Sequence, residues 1–173
     1  LKFANDFGGT LTVIVNSLDL PRAQDPLGLT RAQFEANPRG VDASALLFDT
    51  RKNVDQTQAG AIYDQRIGAQ DALRLLVYTG HRSTTQFQSI PVATQASALH
   101  PGGVIALSSD YRGTDLRWTH RGRVAEQPWT LVAGLAYDTL EQHRFGYQNF
   151  VGPMLGVQGA LRRDEVDTAS DFD

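Results

Sequence analysis

Cysteine is absent from the 173 residues. That excludes a disulfide scaffold and thiolate metal sites, and it fits an oxidising compartment where a stray thiol is a liability. No apolar run approaches the roughly 18 residues that a membrane-spanning helix needs. A basic excess is missing too. The net charge of −3 removes the electrostatic case for nucleic acid as a partner. The opening stretch LKFANDFGG, Leu1 to Gly9, has neither a basic region nor an apolar one, so no signal peptide is expected there. It also lacks an initiator Met, and the chain is expected to belong to something longer. Disorder is not the expectation. Hydrophobic residues make up 41% and charged residues 20%, which suits one ordinary domain.

What is present is alternation of period two, the strand period. In TLVAGLAYDTLEQH, Thr130 to His143, Leu131, Ala133, Leu135 and Tyr137 fall on one side of an extended chain. Val132, Gly134, Ala136 and Asp138 fall on the other. Four earlier stretches behave alike. Gly8 to Leu18 sets Leu11, Val13 and Val15 against Thr10, Thr12 and Asn16. Gln56 to Ile67 sets Ala59, Ala61 and Tyr63 against Gln58, Gly60, Asp64 and Arg66. Asp71 to Arg82 sets Leu73, Leu75, Val77 and Thr79 against Arg74, Leu76, Tyr78 and Gly80. Tyr111 to Gly122 sets Thr114, Leu116, Trp118 and His120 against Asp115, Arg117, Thr119 and Arg121.

The connections carry more information than the strands. Gly68 to Gln70 and VAEQP, Val124 to Pro128, are of hairpin length. The others are long: Asp19 to about Lys52, Ser83 to about Asp110, and Glu141 to about Asp167. An up-and-down sheet sends every second connection to the same end. One end is therefore expected to carry tight turns and the other three long loops. Such sorting belongs to outer-membrane barrels, with short periplasmic turns and longer extracellular loops. Inside the long loops, Thr30 is placed to cap a helical turn RAQFEA that stops at Asn37-Pro38, and Asp42 to cap a second, ASALLF. Alternation alone leaves two readings open: a soluble sheet with its apolar face on a core, or a strand with lipid on one side and water on the other.

The segment LDLPRAQDPLGLTRAQFEANPRGVDASALLFDTRK, then QTQAGAIYDQRI, LRLLVYTGHRSTTQFQSIP and GGVIALSSDYRGTDLRWTH, with EVDTASDFD leading toward a further strand, resembles the barrel of a TonB-dependent outer-membrane receptor of the ferric-siderophore type. The similarity covers essentially the whole chain, and DPLGLTRAQ is its most specific piece. It implies a barrel of about 22 strands with a plugged lumen, and uptake of a ferric siderophore energised through TonB. Residues 1–173 would be an internal piece of that barrel, an all-β antiparallel meander of five to six strands with long extracellular loops. The pattern departs from the family in lacking a plug, a TonB-box segment and an aromatic-ended closing strand.

Under that resemblance the face of Leu131, Ala133, Leu135 and Tyr137 meets lipid, and Asp115, Arg117 and Arg121 face the lumen. Arg144, Phe145, Tyr147 and Phe150 are the candidate ligand-binding residues, on an extracellular loop. Arg144 could hold an anionic chelate through charge-assisted bonds. The competing reading of the aromatics is an interfacial girdle. His81, His100, His120 and His143 stand at no short ligand spacing, so no metal site and no cofactor are expected. The acidic run Arg162 to Asp173 does not fit a calcium loop and reads as an acidic loop rim. No phosphate loop or nucleophile elbow is present, so no enzyme is expected, including a barrel of esterase type. The rival is a soluble all-β binding module using the loops at one end of its sheet.

Overall fold

The computed structural model describes residues Leu1–Asp173 as one open antiparallel meander. In chain order it comprises β1 (Lys2–Ala4), β2 (Gly9–Gln24), α1 (Arg31–Ala36), α2 (Ala43–Leu47), β3 (Arg51–Ile67), β4 (Asp71–Phe87), β5 (Val104–Val124), β6 (Gln127–Tyr147), β7 (Phe150–Val151), β8 (Met154–Leu155) and β9 (Leu161–Phe172). Seven strands pair in the order β1-β2-β3-β4-β5-β6-β9, and β7 with β8 makes a separate small hairpin. The all-β antiparallel expectation therefore holds.

The register brings the five alternations onto common faces. Leu75 opposes Leu116, which opposes Leu135; Leu73 opposes Trp118, which opposes Ala133. Ala61 lies beside Val13 and Val77. These side chains share what we call the apolar face. Arg74, Arg117, Asp64 and Asp115 share the opposite, wet face. A slip of one residue in any pair would have mixed the two sets.

The strands run further than alternation indicated. β5 and β6 have 21 residues each, and β2 continues past Leu18 to Gln24. The connections shrink to 25–50, 88–103 and 148–160. The reason lies in stretches such as Ser83-Thr84-Thr85-Gln86, polar on both faces. There the hydrogen-bond ladder continues but hydrophobic periodicity vanishes. Pro21 sits in a register shift between Leu20 and Ala23, a bulge in which its missing N–H costs no ladder bond. The acidic run expected as a loop rim is β9, a strand. The link expected to span VAEQP is a two-residue hairpin, Ala125-Glu126, both at positive φ (48° and 67°). Pro128 lies inside β6, where β6 has β5 on one side and β9 does not reach.

All three long connections leave the sheet at one end, while Asn5–Gly8, Gly68–Gln70 and Ala125-Glu126 close the other. Little of the chain is buried: 13 of 173 residues, among them Ala45, Phe48, Val54, Phe87 and Val104, gathered at the long-connection end. The accessible surface is 11736 Å² for 18.9 kDa. A compact monomer of that mass exposes about 8,300 Å². The sheet thus lies open on both faces and has no second layer of its own on the apolar one.

Candidate functional site

The long connections build a fused cap rather than three separate loops. In 25–50, Thr30 caps α1 through a reciprocal capping box. Gln33 N–H donates to Thr30 Oγ1 at 3.3 Å, and Thr30 N–H donates to Gln33 Oε1 at 2.8 Å. Asp42 caps α2 by accepting from the Ser44 N–H at 2.8 Å and from the Ser44 hydroxyl. The Ser44 hydroxyl, its backbone N–H and Gln33 together hold the Asp42 carboxyl below the usual carboxylate range. Both caps and the stop at Asn37 stand where the sequence put them.

Connection 88–103 contains a 3-10 turn, Thr94–Ala96, that carries Gln95 into the interior. Gln95 and Asn149 are both fully buried. Gln95 Nε2 donates to Asn149 Oδ1 at 2.6 Å and to Ile90 O at 2.8 Å. Asn149 N–H returns a bond to Gln95 Oε1, and Asn149 Nδ2 donates to Gln88 O and Ile90 O. Every polar atom of the two amides is used, so this pair ties connection 88–103 to 148–160 without an orphan group.

Arg51 ties in the first connection. Its guanidinium lies 3.5 Å from the Phe87 ring centroid and bonds Asp49 Oδ2 at 2.8 Å and Gly156 O at 3.2 Å. Asp49 also accepts from Arg22, whose Nη2 lies 2.9 Å from each carboxylate oxygen. Gly156, at φ 71°, approaches the Phe48 carbonyl so closely that a Cβ has no room. Arg162 donates to Ser97 O. Polar recognition and glycine contacts of this kind have no periodic signature, and sequence reasoning missed Gln95, Asn149 and Arg51.

The candidate ligand residues do not converge. Arg144, Phe145 and Tyr147 lie within β6 rather than on a loop. Phe145 and Tyr147 are on the apolar face, stacked with His143 (ring centroids 4.2 Å for His143–Phe145 and 6.1 Å for Phe145–Tyr147). Arg144 projects to the wet face, because consecutive strand residues alternate. Its neighbour Glu165 is engaged by Arg163 at 2.6 Å, which leaves Arg144 without a carboxylate partner. Phe150 is in the β7–β8 hairpin. Arg82, which parity in LRLLVYTGHR puts on the wet face, joins Arg144 at that end of the sheet.

Three histidines each pair with one aspartate: His81 with Asp110, His120 with Asp71 and His143 with Asp164, all at 2.8 Å. No group of three or more potential metal ligands comes together. At the tight-turn end of the apolar face, Trp118 Nε1 donates to Asp71 at 2.9 Å, and the His120 ring stands between Trp118 and Trp129. On the wet face, mid-sheet, the Tyr111 ring occupies the space over Gly80, and Tyr78 that over Gly113. Tyr111 donates to Gln58 at 2.8 Å and Tyr78 to Asp138. No family model matches the chain.

Proposed function

We propose that this chain is an arc of the transmembrane barrel of a TonB-dependent outer-membrane receptor, and that the whole receptor takes up a ferric siderophore. The observation that carries this reading is the sidedness of the sheet. Three long connections crowd one end, tight turns close the other, and an uncovered apolar band faces one side only.

The dimensions fit a bilayer. From Trp129 to Tyr137 the apolar face of β6 runs about 27 Å along the strand, or about 21 Å in height at a tilt near 40°, against an outward apolar band of about 25 Å in such barrels. Leu131, Ala133 and Leu135 lie within it, Leu135 with 58% of its surface open. Trp118, His120 and Trp129 border the band at the tight turns, rings with one wet end. Above Tyr137 the same face turns to Thr79, Arg112 and Thr139, then to His81, Asp110 and Glu141. Lipid covers the band, and the remaining half of β6 lifts the cap clear of the membrane. Further strands of the barrel pair with the open edges of β2 and β9. A soluble binding module would need a layer over the apolar face.

The chelate meets the wet face, where Arg144 and Arg82 offer cations near the cap, and Phe150 at the rim. Phe145 and Tyr147 belong to the outer aromatic surface. TonB acts through parts of the receptor outside these residues. The role is transport rather than catalysis.

Iron-limited growth of cells lacking the gene, on a panel of ferric siderophores, tests the reading. Growth on one chelate should be lost, restored by the intact gene and weakened by Arg144→Ala. Brominated lipids should quench Trp118 and Trp129 in the purified protein. Unchanged growth on every chelate, with unquenched tryptophans, would refute it.

A further inference from the structure

The wet face carries a second feature that uptake of a chelate does not use. At the tight-turn end, far from the cap, Arg66 of β3, Arg74 of β4, and Arg117 and Arg121 of β5 line one shallow depression of about 450 Å³. Four guanidinium groups concentrate there in a chain whose net charge is −3. Two are partly answered. Arg74 lies 3.5 Å from Asp64 and Arg117 3.2 Å from Asp115. Arg66 and Arg121 are exposed and have no carboxylate partner. They sit two strands apart, roughly 10 Å across the sheet.

The floor between them is small or hydroxylated. Ala72 and Thr119 lie there, and Thr10 lines the β2 side of the depression. Gly134 opposes Arg117, and a Cβ there would stand 2.9 Å from the Leu116 carbonyl oxygen. At their exposure the existing ion pairs are weak, and they can exchange for better ones.

We propose that this arginine floor docks a carboxylate-rich polypeptide segment. Charge complementarity selects an anion, and the spread of the charges selects a polypeptide. A compact anion such as phosphate needs donors converging on one point, whereas these span three strands with Asp64 and Asp115 set among them. A chain bearing several carboxylates can satisfy Arg66 and Arg121 together and use its amides on Asp64, Thr10 and Thr119. Guanidinium–carboxylate forks give such contact its geometry. If the sheet stands in water the floor is open to solvent, and if it is a barrel arc the floor faces the lumen and the acidic segment belongs to whatever fills it; the charge argument is the same in both cases, so this inference does not rest on the receptor reading.

The test is binding of a fluorescent oligoglutamate peptide to the full chain in detergent micelles. Binding should weaken at least tenfold in the double variant Arg66→Gln/Arg121→Gln and fall steeply with salt. Arg112→Gln, on the opposite face, should leave it unchanged. Circular dichroism checks that the variants keep their strands. The proposal fails if the peptide does not bind, or if the double variant binds equally. It fails too if Arg112→Gln is as damaging, which would mark non-specific attraction. Full competition by inorganic phosphate would reassign the floor to small anions, and full competition by anionic phospholipid vesicles to a membrane.

Discussion

Asn149 and Gln95 show how two residues can set the behaviour of a whole surface. Both amides are fully buried and fully bonded. Truncating Asn149 leaves one Gln95 Nε2 hydrogen and the Gln88 carbonyl without partners, at about 1–3 kcal/mol for each buried group. Asn149→Leu should therefore speed hydrogen exchange at 88–103 and 148–160 while the mid-sheet ladder stays protected. The double variant Gln95→Leu/Asn149→Leu should cost less than the sum of the singles, because each single already destroys the pair. Asp42 gives a pH signature at the same scale. Its carboxyl is held below the ordinary range by Ser44 and Gln33. A depressed folded-state value means that the cap contributes above the unfolded value and fades as pH falls through the folded one. Protection of the α2 amides should drop in acid below the usual carboxylate range. Asp42→Asn should show no such drop.

The hairpins are the element at which local chemistry and backbone disagree. The β5–β6 turn needs positive φ at both central residues, yet carries Ala125 and Glu126 there. An ordinary residue in that region costs about 1–2 kcal/mol. Ala125→Asn with Glu126→Gly supplies the residues this turn prefers. Urea unfolding in detergent should shift by about 1–2 kcal/mol toward stability, and no change would mean that the turn frays before the sheet. Gly68, at φ 66°, already gives the β3–β4 turn what it needs. Strand faces were readable at this scale, because parity within each strand survives in the register. Strand ends were not, because Ser, Thr and Gln continue the ladder without marking a face.

At the scale of the molecule the surface area argues that something must cover the apolar face. The excess over a compact monomer is about 3,400 Å². In lipid, a charge on that face should be far costlier than on the wet one. Leu116→Arg should lose about 2–4 kcal/mol of folding stability in vesicles, whereas Ala136→Arg, on the wet face, should lose little. Equal effects would remove the distinction between the faces. Without detergent or lipid, the open edges of β2 and β9 should drive self-association, visible by light scattering. A monodisperse monomer in plain buffer would count against the receptor reading.

Sequence alone determined which residues alternate, where Thr30 and Asp42 start helices, and that long and short connections take turns. These are local properties, written in parity, capping chemistry and spacing. Tertiary structure decided the rest. Register chose which faces coincide, and pairing with β5 and β9 carried β6 on to Tyr147, so that Arg144 and its aromatic neighbours fell on opposite faces of a strand rather than on one loop. Packing among the connections bound them through Gln95, Asn149 and Arg51. Four arginines separated by up to 55 positions came to share one floor. Each depends on partners distant in the chain, and no periodicity within a segment can specify a partner outside it.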